Sequence, residues 1–378
     1  MTVTLSPFAI DIPEAELDDL RARLDMTRWP EPEPVDDWSQ GAPIDRVRGL
    51  CDYWRRDYDW RRCEARLNGM GSQRAEVDGL GIHVLHIRSP QPDALPMIMT
   101  HGWPGSVIEF MDVIGPLTDP AAHGGDAADA FHLVLPSLPG YGFSDKPARS
   151  GCGVERIAEI WARLMPALGY DRYVAQGGDW GSAVTTAMGT LAPRGLEAIH
   201  LNMPSFPLDR RDPSEDPAIR RAIEANTRHR RWGTGYSRVQ STRPQTLGYG
   251  LTDSPVGQAA WIYEKYWEYT DHDGDAEALL GRDAMLDNIM LYWLPAAGAS
   301  SARLYWESFG GRAIPQVHIP TAATVFPREI VPAPRAWSEK IYTNIHRWTE
   351  AERGGHFAAF EQPEIFVREV RDAFRAFR

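Results

Sequence analysis

The chain is poor in the residues that would tie it to a disulfide scaffold, a membrane or a nucleic acid. Of its 378 residues only three are cysteine: Cys51, Cys63 and Cys152. An odd number at irregular spacing matches neither a disulfide framework nor a metal knuckle, and it points to a reducing, cytoplasmic setting. Lysine is equally rare. Lys146, Lys265 and Lys340 are the whole complement, so 40 − 3 = 37 of the basic residues are arginine. Acidic residues number 52 against 40 basic ones, a net charge of −12, and the phosphate-neutralising surface that nucleic acids require is missing. No run approaches the roughly 20 apolar residues of a spanning helix, and Met1 to Pro13 has neither the basic nor the apolar region of a secretion signal. The expectation is a globular protein without membrane or nucleic-acid partners. The balance of what remains, 43% hydrophobic and 24% charged, supports it.

Leu17, Leu20 and Leu24 recur at helical spacing and predict a first helix. The prolines at 30, 32 and 34 then force an extended stretch, and a second helical pattern runs from about 44 to 67. Residues 1–74 therefore read as an N-terminal arm. Short β runs follow at 82–87, 96–100, 131–136, 173–176, 198–202, 321–326 and 344–348, interleaved with helical patterns and closed by a helix carrying Ile365, Phe366, Val370 and Phe374. Alternation of this kind predicts a mostly parallel sheet with helices on both faces. Residues 205–299 break the rhythm with a helical stretch rich in aromatics, among them Trp261, Tyr263, Tyr266, Trp267 and Tyr269, and read as an inserted lid. That leaves 75–204 and 300–378 as the core.

Three motifs concentrate the chemistry. Gln176-Gly177-Gly178-Asp179-Trp180-Gly181-Ser182 lies between a predicted strand and a predicted helix and has the form of a nucleophile elbow with aspartate in place of serine. Gly177 and Gly181 let the turn approach neighbouring backbone, and a helix N-terminus favours negative charge at 179. The plainer alternative is a glycine-rich turn with Asp179 as an N-cap. His101-Gly102-Trp103-Pro104-Gly105 follows a buried run, where a hydrolase places a loop supplying one oxyanion donor, here the Trp103 N–H. The Trp180 N–H would be the second donor, and His101 reads as a loop-orienting residue. Arg353-Gly354-Gly355-His356-Phe357 follows the last predicted strand and makes His356 the expected base, against the alternative of a packing histidine. Glu329, in Phe326-Pro327-Arg328-Glu329, is the expected acid orienting it, against a solvated glutamate, with Asp209 kept as the other candidate. Asp271-His272-Asp273-Gly274-Asp275 puts Ala276 where a calcium loop needs glycine and reads as a solvated turn. His83 and His86 fall on opposite strand faces and cannot share a metal, and the chemistry of these motifs requires neither a metal nor an organic cofactor.

An aspartate that displaces at a saturated carbon makes an alkyl ester. An epoxide then leaves as an alkoxide and needs a proton donor, whereas a halide needs only weak N–H donors. Tyrosines therefore argue for the first leaving group and tryptophans for the second. A haloalkane dehalogenase and a non-catalytic binding protein of the same fold are the competing readings.

Together these motifs resemble the α/β-hydrolase epoxide hydrolases of the microsomal and juvenile-hormone type, including bacterial members from secondary metabolism. The likeness spans nearly the whole chain, adding the arm from Pro7-Phe8 through Trp29-Pro30 and the segment Thr252-Asp253-Ser254-Pro255-Val256-Gly257. It implies the α/β-hydrolase fold and conversion of an epoxide and water to a vicinal diol. The nucleophile then falls on Asp179, the base on His356, the acid on Glu329, and two lid-side proton donors on Tyr236 and Tyr305, with Tyr249 as the alternative to Tyr236. Microsomal relatives begin with a membrane anchor, whereas this chain starts at the arm, so membrane attachment is not expected to carry over. The aromatic lid suggests a bulky or aromatic epoxide, and the bacterial members suggest a natural product. A homodimer through the arm or lid is one option.

Overall fold

A computed structural model of the chain describes residues 3–310 and 314–378. Residues 1, 2 and 311–313, which fall in the arm and core ranges above, lie outside the described residues. Among the described residues nine strands make one sheet: β1 (Thr4–Pro7), β2 (Ser72–Val77), β3 (Leu80–Ile87), β4 (Leu95–Thr100), β5 (Phe131–Pro136), β6 (Tyr173–Gly177), β7 (Leu196–Leu201), β8 (Thr321–Val325) and β9 (Ile345–Glu350). Their spatial order is β1-β2-β3-β5-β4-β6-β7-β8-β9. The pairs from β5 to β9 are parallel, and β1, β2 and β3 join antiparallel at one edge. Every residue of β5 is buried, which a strand achieves only when both sheet faces are covered. The helix Val154–Ala167 packs on Asp179–Leu191, and Met111–Thr118 packs on Pro363–Phe374. Parallel pairing places the ends of β4, β6, β8 and β9 at one edge of the sheet, where the three motifs leave their strands.

The arm differs from its sequence reading in two ways. It contributes a strand, because β1 pairs with β2 in the register Thr4↔Glu76 to Pro7↔Gln73. The expected helix over 44–67 is two helices, Ile44–Arg56 and Trp60–Asn68, and the Asp59 side chain accepts the Arg61 N–H at 2.9 Å to cap the second. Leu17, Leu20, Leu24, Leu50 and Leu67 join the common core, so the arm is packed on the rest of the molecule.

Between β7 and β8 the inserted helices run from Pro217 to Ser308. They sit over the motif-bearing edge, with Asn288 Nδ2 donating to the Pro104 carbonyl at 2.8 Å and Tyr292 Oη donating to the Gly105 carbonyl at 2.7 Å. The arm grips them from outside. Tyr53 donates to Asp283 at 2.8 Å, Tyr58 to Asp287 at 2.7 Å and Arg23 to Asp253 at 2.8 Å, while Trp38 stacks on Trp267 with centroids 4.7 Å apart. Among the described residues no helix is long and apolar enough to cross a membrane.

Candidate active site

β6 ends at Gly177, and the helix Asp179–Leu191 begins two residues later. Asp179 itself takes φ +49°, the left-handed region that non-glycine residues seldom occupy. The turn is close enough that side chains are excluded around it. A Cβ on Gly181 would lie 1.8 Å from the Thr100 carbonyl oxygen, and one on Gly102 would lie 2.3 Å from Asp179 Oδ1. The Trp103 N–H donates to Asp179 Oδ1 at 2.8 Å. The Trp180 N–H lies in the first helical turn, where backbone donors lack intrahelical acceptors and negative charge is favoured.

Asp179 Oδ2 is 3.4 Å from His356 Nε2, and His356 Nδ1 is 2.7 Å from Glu329 Oε1. The three residues come from the loops after β6, β8 and β9. A backbone tie holds the last two loops together, the Arg328 N–H donating to the Gly354 carbonyl at 3.0 Å, and within its own loop Glu329 Oε1 accepts the Ile330 N–H at 2.7 Å. From the lid side, the Tyr269 carbonyl accepts the His356 N–H at 2.9 Å. Burial by itself would push the imidazole down. The charges of Glu329 and Asp179 and their hydrogen bonds outweigh it and hold His356 well above the usual histidine range.

Over this group stand the two tyrosines. Tyr236 stacks on Trp103 with centroids 4.8 Å apart, and Tyr305 meets the edges of Trp103 and Trp180 at 5.8 Å and 4.8 Å. The two phenol rings are 5.9 Å from each other. Both are buried, and burial followed by nearby charge, that of Asp179 included, holds each phenol well above its ordinary value, so each keeps its proton. Such a set can present a carboxylate, two O–H donors and an oriented imidazole to one substrate.

Residues 5–110 match the family model described as the epoxide hydrolase N terminus, and residues 96–236 match that of the α/β-hydrolase fold. A Stigmatella aurantiaca protein whose name assigns it provisionally as an epoxide hydrolase is 54% identical over 99% of this chain and 86% of its own length. Epoxide hydrolase 1 of Sus scrofa is 34% identical over 97% of this chain and 88% of its own. The crystal structure of juvenile hormone epoxide hydrolase from the silkworm Bombyx mori superposes with a TM-score of 0.90 at 32% identity, covering 100% of this chain and 95% of that one. The chain belongs to the epoxide hydrolases of the α/β-hydrolase fold.

The alternatives left open by the sequence lie apart from the site, and one reading is corrected. Asp209, the alternative acid, is exposed and its side chain accepts the Arg211 N–H at 2.9 Å in a local turn, away from His356. Tyr249, the alternative donor, is 70% exposed. Asp271 is not a solvated turn residue: its carboxylate accepts the Gly354 N–H at 2.8 Å, and its own N–H donates to Glu361 at 2.8 Å, which pins the histidine loop to the lid. His101 is buried, its Nε2 accepting the Leu138 N–H at 3.2 Å, and burial pushes it down to about 4, so it stays neutral and orients its loop.

Glu109 was not singled out by sequence. Its carboxyl lies against Gly105, where a Cβ would come within 1.2 Å of Oε1. Burial raises its pKa to about 8, with His356 pulling down and Asp179 pushing up. A folded pKa above the unfolded one means a stability contribution fully present below 4.5 and lost as pH climbs through about 8. Glu109→Gln, which mimics the protonated acid, is expected to melt like the wild type in acid and to outlast it in alkaline buffer, as followed by circular dichroism. Parallel melting curves across that pH range would contradict the assignment.

Proposed function

We propose that the chain converts an epoxide to a vicinal diol in two steps. Asp179 Oδ2 attacks an epoxide carbon, the C–O bond opens, and the freed oxygen takes a proton from Tyr236 or Tyr305. The products of this step are a hydroxyalkyl ester of Asp179 and a phenolate, which takes up through solvent the proton that leaves the His356 imidazolium once the Asp179 charge is gone. His356, oriented by Glu329, then removes a proton from a water that attacks the ester carbonyl. Charge on Oδ1 is met by the Trp103 and Trp180 N–H groups, and collapse returns the carboxylate and releases the diol. The observation that carries this reading is the division of labour at one carboxylate, with Oδ1 on the Trp103 N–H and Oδ2 facing His356.

The reading also fits the electrostatics of the two steps. While Asp179 is ionised it helps hold a proton on His356, and esterification removes that charge. The imidazole therefore becomes available in its neutral form only once there is an ester to hydrolyse. Trp103, whose N–H meets Asp179, packs in one aromatic cluster with Tyr236, Tyr305, Trp180 and Phe309, which favours a bulky or aromatic epoxide. We assign 205–308 to the lid, 308 − 299 = 9 residues beyond the expected boundary, because the helix Gly298–Ser308 is continuous and carries Tyr305.

Single turnover in ¹⁸O-water with excess enzyme tests the covalent route. The first diol is expected to leave without label, its new oxygen coming from Asp179, while the label enters the carboxylate. Labelled diol in that first turnover would mean direct attack by water.

A further inference from the structure

Of the three lysines, one is buried in the lid beside the phenols. Lys265, on the helix Pro255–Tyr269, is only 2% exposed. Its ammonium is 2.6 Å from Glu268 and 3.0 Å from Glu264, and it stands over two aromatic rings, 4.6 Å from the centroid of Tyr236 and 5.2 Å from that of Tyr269. Burying an ion pair gains the fold little over apolar packing, so stability alone does not account for a desolvated lysine at this position.

We propose that the Lys265 ammonium stabilises the negative charge that Tyr236 acquires as it gives its proton to the opening epoxide oxygen. Lys265 is then a positioning residue that acts through Tyr236 and does not touch substrate. The inference rests on Tyr236 being a proton donor. Charge on the reacting phenol is opposed by its burial, by Asp179 below it and by Glu268 beside it, while Tyr269 and Tyr305 favour it by hydrogen bonding. His229 next to Lys265 is held neutral, pushed down to about 4 by burial, with Lys265 and His356 acting in the same direction, so it supplies no competing cation. Trp103 stacks on the ring and offers no charge. Lys265 is therefore the cation placed to help, and a cation over an aromatic face acts most strongly where water is excluded.

Stopped-flow fluorescence of single turnovers separates ester formation from ester hydrolysis. Lys265→Met keeps the stem and removes the charge, and is expected to slow ester formation about tenfold while leaving hydrolysis unchanged. Lys265→Arg should recover most of the loss. Adding Lys265→Met to Tyr236→Phe should cost nothing further, since the charge it stabilises no longer forms. An unchanged rate of ester formation, an equal slowing of both steps, or full additivity with Tyr236→Phe would overturn the proposal. If Lys265→Met does not fold, Glu268→Gln decides: removing that opposing charge should speed ester formation about threefold, and an unchanged or slower step counts against the role. The underlying reading fails separately. Should Tyr236→Phe leave ester formation untouched, Tyr236 is not the donor; should it slow that step while Lys265→Met does not, only the lysine assignment falls.

Discussion

Asp179→Ala is expected to give a folded protein that makes no measurable diol. The site has one carboxylate within 3.4 Å of the imidazole and 2.8 Å from the Trp103 N–H, and no neighbouring group duplicates that position. Glu109, a further acid in electrostatic contact with His356, is pushed up to about 8 by burial, so it is protonated near neutral pH and makes a poor nucleophile. Loss of a covalent nucleophile in such a unit costs about 10⁴-fold or more in kcat. Stability should change far less, since alanine at φ +49° costs only about 1–2 kcal/mol. Chromatographic assay of diol alongside thermal melting separates the two effects. Turnover within tenfold of the wild type would remove Asp179 from the mechanism.

His356→Ala is expected to divide the reaction at its midpoint. Ester formation needs the carboxylate and the phenols, so one equivalent of epoxide should still be consumed; hydrolysis needs the base, so the enzyme should then stop. Intact-protein mass spectrometry should show a gain equal to the mass of the substrate, located on the peptide containing Asp179. Steady-state turnover should fall by about 10⁴-fold. The pH dependence has a defined sign. In the free enzyme two acidic neighbours keep the imidazole protonated, and in the ester only Glu329 remains, so its pKa drops. Wild-type ester hydrolysis should therefore accelerate as pH rises through that lowered value. A variant that turns over repeatedly without an adduct would show that the base lies elsewhere.

Much of the site could be read from the chain because its determinants are local. Gly177, Gly181 and Asp179 lie within five residues, and the turn they make depends on backbone geometry that few other sequences tolerate. The buried strands were equally plain, since β5 is apolar at every position but His132 where a half-exposed strand would alternate. What escaped depends on contacts far apart in sequence. β1 is four residues long and mostly exposed, and it is a strand only because β2, about 70 residues later, offers a free edge. The role of Asp271 appears only when a loop 83 residues downstream folds back onto it. Glu109 and Lys265 carry no motif, and their surroundings are supplied by elements that no single window of sequence contains.

The grip of the first seventy residues on the inserted helices has a mechanical meaning. A cover anchored by Tyr53, Tyr58, Arg23 and the Trp38 stack cannot swing freely from its own two tethers. Admission of a large guest, and discharge of the product, must be accommodated by a frame braced on both sides, so the leading portion of the polypeptide sets the stiffness of the doorway as surely as the helices that line it.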